Sequence, residues 1–365
     1  MTAPVGSACG DPLALDAPWF TEALESAGVA RGATVIDVEF EGFIGTGQMS
    51  RNARYQLTWD QPGGLPATVV GKFPSHDDAT KLSSFASGAY HHEYAFYADV
   101  AKTVSIATPQ CWVARFDADA PDFVLIMEDM TGSAQGDQFS EPPAEVVRLA
   151  IAQAAGLHGP RWGDPTLETE PAMQYPAGDR SGVINQYWPA AVDVCITRLG
   201  HALDDDVKQL IRDFGELIPA YSKGTGTPAT IVHGDFRPDN FLIGQTPTAT
   251  PLAVVDWQTV GLGIGAADIA YLVGGAFEPA RRREVERGLL DLYRAELRKY
   301  GVTYGADESW RDYRWSTLHG VIISVLATLM ADQTERGDAM LTLMASRHGR
   351  HAIDLDALDL VRAAG

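Results

Sequence analysis

The chain has 365 residues, 45% of them hydrophobic, and a net charge of −20 at pH 7. That length suits two lobes with a sizeable core. The acidity, with a pI near 4.7, weighs against a nucleic-acid or anionic-membrane surface. It fits simple solubility and also a cationic substrate.

Three scattered cysteines, Cys9, Cys111 and Cys195, have neither metal-type spacing nor the pattern of a disulfide framework. The N-terminus lacks the basic-then-apolar order of a secretory signal. The longest apolar run, about 318–331, contains His319 and is too short to span a bilayer. A cytoplasmic protein without nucleic-acid or membrane partners is the expectation; oligomeric state stays open.

Residues 1–18 are rich in Pro, Ala and Gly and read as a loose arm. A helix is predicted to about residue 28, with Phe20, Leu24 and Ala27 at helical spacing. Alternating apolar residues then predict strands over 34–43, 54–59 and 67–73. A glycine turn containing Gly45, Gly47 and Ser50 joins the first two, and Gln61-Pro62-Gly63-Gly64 the next. A helix over 90–101 carries Glu93, and strands are expected over 110–117 and 123–128. The last is almost wholly apolar and ends at Glu128-Asp129, as if leaving one lobe for a connector.

From Pro142 the pattern is helical: 144–157, 205–221, 281–300, 310–333, 339–346 and 353–362, with a Pro- and Gly-rich loop over 159–180. One strand pair interrupts it, within 231–269. The result is a two-lobed α+β fold: an arm (1–18), a first lobe (19–130) and a larger helical lobe (131–365).

The interrupting pair carries the chemistry. His233-Gly234-Asp235-Phe236-Arg237-Pro238-Asp239-Asn240 follows an apolar strand end, and Asp256 closes the apolar run 252–255. Asp235, Asn240 and Asp256 lie five and then sixteen positions apart. Two strand ends and a loop could bring them to one point, as metal-assisted phosphoryl transfer requires. Each alone has a bland reading: a turn aspartate, a turn asparagine and a capped strand end. A lone carboxylate ending a buried strand is costly unless paired, hydrogen-bonded or metal-bound. Together the three favour chemistry.

These motifs, with Val255-Asp256-Trp257-Gln258 and Asp268-Ile269-Ala270-Tyr271-Leu272, resemble the aminoglycoside phosphotransferase and choline kinase superfamily, and within it the ecdysteroid-kinase-like branch. The resemblance implies a protein-kinase-like fold using ATP and Mg²⁺. It implies that Asp235 is the catalytic aspartate and that Asn240 and Asp256 bind the metal. It further implies that Lys72 contacts nucleotide phosphates and that Glu93 pairs with Lys72. Read without it, Lys72 is equally an exposed strand-end lysine, and Glu93 a solvated helix residue.

Gly45, Gly47 and Ser50 fill only part of a G-x-G-x-x-G pattern, with a hydroxyl in the third place. Glu128 to Met130 stand where a hinge would meet adenine. His91, His92 and Glu93 do not form a metal cluster, because adjacent residues do not share a helix face.

Asp268 reads as a structural tie. Trp112, Tyr187, Trp188, Trp257 and Tyr271 read as core, with pocket lining as the alternative. Arg347, His348, Arg350 and His351 read as a basic helix end. The expected activity is phosphorylation of a small-molecule alcohol. The alternatives are an aminoglycoside-type antibiotic kinase and a catalytically silent nucleotide binder.

Overall fold

The structure is a computed structural model that describes residues 11–45, 49–61, 63–170, 173, 180–330 and 333–365. Its first part is an antiparallel five-stranded sheet in the order β1-β2-β3-β5-β4. The strands are β1 (Val35–Ile44), β2 (Ser50–Trp59), β3 (Thr68–Pro74), β4 (Cys111–Asp117) and β5 (Asp122–Glu128).

The uninterrupted apolar run in β5 is explained by cover on both faces. Side chains alternate across a strand. Val124 and Ile126 join a core with Trp19 and Phe20 of helix α1 (Ala17–Ser26). Phe123, Leu125 and Met127 join Tyr90 on the opposite face. Tyr90 belongs to α3 (Ala89–Ala95), which follows α2 (Asp78–Ala86).

The expected arm is not loose over its described part. Pro12–Ala14 forms a 3-10 turn, Leu15 is buried, and the Tyr55 hydroxyl donates to the Pro12 carbonyl at 2.8 Å. The helix expected over 90–101 is three pieces: α3, a π turn at Phe96–Val100 and a 3-10 turn at Ala101–Thr103.

Beyond residue 130 helices dominate: α4 (Ala144–His158), α5 (Arg180–Leu199), α6 (Asp205–Phe214), α7 (Ala266–Ala276), α8 (Pro279–Leu297), α9 (Ala306–Met330), α10 (Glu335–Asp354) and α11 (Ala357–Ala364). Helix α5 escapes sequence reading; Pro189 in its interior is a residue that signals a break.

Two small sheets sit among these helices. One pairs β7 (Thr230–Val232) with β10 (Gly261–Gly263); the other runs β6 (Ser133–Gln135), β8 (Phe241–Gly244), β9 (Leu252–Val254). In the second, Phe241 pairs with Val254, and the Val255 amide donates to the Asn240 carbonyl at 3.0 Å. That register sets Asn240 and Asp256 at the same end of one strand pair.

The basic helix end is corrected by the structure. His348 and His351 of α10 are wholly buried, and Arg347 is nearly so. His348 lies in a notch of Gly274, Gly275 and Gly320: a Cβ on Gly320 would overlap the ring, one on Gly274 would lie 2.8 Å from Nδ1, and one on Gly275 3.2 Å from Nε2. Its ring stacks on Tyr271, with centroids 4.8 Å apart and planes 3° from parallel. Burial holds the His348 imidazole well below its usual range, so it packs as a neutral ring.

Overfilling this notch has a measurable cost. Gly320→Ala should lower stability by about 1–3 kcal/mol, read as a reduced urea midpoint. An unchanged midpoint would mean that the notch is not tightly packed.

Candidate active site

The two lobes meet at Lys72. Its strand, β3, is central in the sheet, so the side chain leaves from a rigid position. Its ammonium is 2.6 Å from Glu93 Oε1 of α3 and 2.9 Å from Asp256 Oδ1. The Lys72 and Glu93 side chains are 7% and 1% exposed, whereas Asp256 is 39% exposed and faces the open side. Burial alone would lower the lysine's pKa, but Asp256 and Glu93 outweigh it and the ammonium stays charged. Burial pushes Glu93 above the usual carboxylate range despite Lys72. Burial also opposes ionisation of Asp256, but Lys72 prevails and holds it below that range.

Asp256 has φ +69°, in the left-handed region. Aspartate tolerates this better than most residues, but the conformation still costs on the order of 1–3 kcal/mol. Packing behind it holds the turn in place. The Trp257 amide donates to Glu93 Oε1 at 3.3 Å, and the indole stacks on Phe96 with centroids 3.5 Å apart.

The loop after β7 builds the second half of the site. Gly234 has φ +83°, and a Cβ there would lie 2.7 Å from the Thr259 carbonyl. Only glycine fits this close approach. Asp268, at the start of α7, accepts the His233 amide at 2.7 Å and the Gly234 amide at 2.9 Å. His158 Nε2 lies 3.1 Å from the same carboxylate, and its Nδ1 2.7 Å from the Tyr293 hydroxyl. Burial raises the Asp268 pKa, but these bonds to His158 and the loop amides bring it below the usual range. The His319 ring holds the Gly234 carbonyl at 2.7 Å.

On this frame stands Asp235. The Asn240 amide nitrogen donates to its carbonyl at 2.8 Å and to Oδ2 at 2.9 Å. Arg237 Nε reaches Oδ2 at 3.1 Å, and its guanidinium also pairs with Asp239 at 2.9 Å. The Tyr271 hydroxyl donates to Oδ1 at 2.8 Å.

The structure therefore gathers Lys72, Glu93, Asp256, Asn240 and Asp235 along one line of contacts. Gly45 lies at the end of β1 with φ +77°, and Gly47 falls outside the described residues. Ser50 is not placed as a free hydroxyl in the turn. It is buried at the start of β2 and accepts from Gln258 Nε2 at 3.1 Å, so it ties the sheet to the Asp256 turn. The Glu128 side chain is exposed and accepts the Gln110 amide at 3.3 Å, while its own amide donates to Gln110 at 2.8 Å. The Met130 carbonyl accepts from Ser133 at 3.1 Å. The connector is thus a hydrogen-bonded turn, anchored by Asp129 to Arg54 at 2.9 Å.

Sequence reasoning passed over Arg237 and the link from Tyr271 to Asp235. Arg237 stands inside the motif, two residues from each acidic neighbour. Tyr271 follows Asp268 by three positions, which places both on one face of α7.

This is the architecture of a two-lobed kinase-like fold, with a lysine–glutamate pair in the sheet lobe and the acidic loops in the helical lobe. The profile of the phosphotransferase enzyme family matches residues 48–305, and the chain belongs to that family. No curated protein matches the chain.

Solved structures share the fold. A choline kinase from Cryptosporidium parvum Iowa II covers 90% of this chain and 91% of its own at 10% identity, with a TM-score of 0.52. A Plasmodium vivax ethanolamine kinase covers 85% and 82% at 12% identity, with a TM-score of 0.54. The GDP and kanamycin complex of APH(2'')-IIIa covers 89% and 98% at 18% identity, with a TM-score of 0.53.

Asp268 supplies a test of the frame. Its folded pKa is lowered from 3.8, so it adds stability above that value and loses it as pH falls through the lower folded value. Asp268→Asn should cost about 3 kcal/mol at pH 7. It should also flatten the loss of stability below about pH 4. Urea midpoints across pH check both; a cost that persists unchanged into acid would contradict the assignment.

Proposed function

We propose that this protein is an ATP- and Mg²⁺-dependent phosphotransferase acting on a hydroxyl of a small molecule. The observation that carries this is the junction itself. A carboxylate held by an amide and a guanidinium stands beside a strand pair that ends in a second, half-exposed carboxylate bound to a buried lysine.

The donor set suits magnesium. Asn240 turns its amide nitrogen inward to Asp235, which leaves its amide oxygen as the remaining polar atom. Asp256 offers a carboxylate from an open position. Two hard protein oxygens fit an ion that takes the rest of its shell from phosphate and water. When bound, magnesium would neutralise charge on the phosphate oxygens of ATP.

Asp235 orients the acceptor hydroxyl. It takes the proton as that oxygen bonds to the γ-phosphorus and the bridging bond breaks, the electron pair leaving with ADP. Lys72 and Arg237 hold fixed positive charge on either side. Glu93 keeps Lys72 extended towards the cleft. Catalysis then rests on positioning and on charges that need no rearrangement.

The carboxylates nearest the base are already occupied: Arg237 pairs with both Asp235 and Asp239. That arrangement favours a neutral alcohol over a polycation, in keeping with the ecdysteroid-kinase-like branch. An acceptor panel of neutral alcohols and aminoglycosides, read by ADP release, checks the choice; aminoglycosides alone being phosphorylated would reverse it.

Asp235→Asn should lower turnover by about 10²–10⁴-fold while ATP binding persists. Wild-type turnover in this variant would refute the base. Asp256→Ala should weaken Mg·ATP binding by about tenfold or more. Calorimetric titration measures it, and equal affinity would count against a metal role.

A further inference from the structure

Asp235 is gripped from outside its own loop. A carboxylate has about four lone-pair sites. Asn240 takes one on Oδ2, the Tyr271 hydroxyl takes one on Oδ1, and Arg237 Nε stands between the two oxygens, 3.0 Å from Oδ1 and 3.1 Å from Oδ2. One site is left for an acceptor proton, and the Tyr271 hydroxyl is the donor from outside the loop that fixes Oδ1.

Tyr271 is built to hold it. It is 1% exposed, in the middle of α7. Its ring lies flat on His348 of α10 and edge-on to His319 of α9, 5.4 Å away at 69°. Three helices thus fix the ring, and a buried phenol with one good partner aims its proton there. Burial and the adjacent Asp235 keep the phenol well above its usual range, so it remains a donor at all working pH values.

We propose that Tyr271 is a positioning residue for phosphoryl transfer, its hydroxyl fixing Asp235 Oδ1 and so the orientation in which the carboxylate meets the acceptor hydroxyl. The proposal rests on Asp235 being the base. It also gives two histidines a purpose: the buried His348 and the half-buried His319 lock the tyrosine ring. The carboxylate geometry is therefore set by the helical core as well as by the loop that carries Asp235.

Tyr271→Phe removes the hydroxyl and keeps the stacked ring. Its effect is read first without turnover, from urea midpoints of the wild type, Y271F, D235N and the double variant. Non-additive shifts are expected, and additive shifts would overturn the contact.

Turnover is then read with Mg·ATP, using the best acceptor of the panel or water. In Y271F, kcat should fall about tenfold while KM for ATP stays within about twofold. A merely structural tyrosine would leave kcat unchanged, or would move both constants together with the midpoint; either result overturns the proposal. Coupled midpoints with no wild-type transfer to any acceptor or to water would instead remove the phosphotransferase reading, and the positioning role with it.

Discussion

A buried ammonium sits at the junction of the lobes. Lys72 leaves the middle of a sheet into a place with almost no solvent, where an isolated charge would be expensive. Its partners come from two directions, Glu93 on α3 and Asp256 beyond β9. Removing either would leave Lys72 with a single counter-charge, and breaking a buried pair costs far more than the pair contributes in place. The sheet, the α3 helix and the acidic turn are therefore held in one arrangement. Asp256 is the open member of the trio, 39% exposed.

The helical lobe solves a different problem. It must hold a short loop still without a strand or helix to run through it. Asp268 does this by accepting two successive loop amides, and His158 and Tyr293 complete its hydrogen bonds behind it. Gly234 lets the backbone pass against Thr259, whose hydroxyl donates to the His233 carbonyl at 2.8 Å. The carboxylate of Asp235 is thus placed by groups whose own positions are fixed by core packing, which is the preorganisation that phosphoryl transfer calls for.

The parts of this arrangement that follow local rules were legible in the sequence. Alternation marks the strands around Lys72, and the acidic residues at strand ends mark the candidate site. Long-range partners were not. Nothing local says that His348, in a run with Arg347 and Arg350, enters a glycine notch instead of facing water. That depends on Gly274 and Gly320, which lie on two other helices. Ser50 reads as a turn hydroxyl in sequence, but Gln258 reaches it across the lobes. Helix α5 was hidden by Pro189, and the α3 helix changes to a π turn at Phe96, where the ring stacks on Trp257. At His348, Ser50 and Phe96 a tertiary contact overrides the local signal.

The proposed role of the Lys72 junction is that of a magnesium-dependent nucleotide site. Titration of a non-hydrolysable ATP analogue with and without Mg²⁺ tests it most directly. Binding should tighten by about tenfold or more with Mg²⁺ and be lost in Lys72→Met. Binding indifferent to Mg²⁺ and to Lys72 would contradict it.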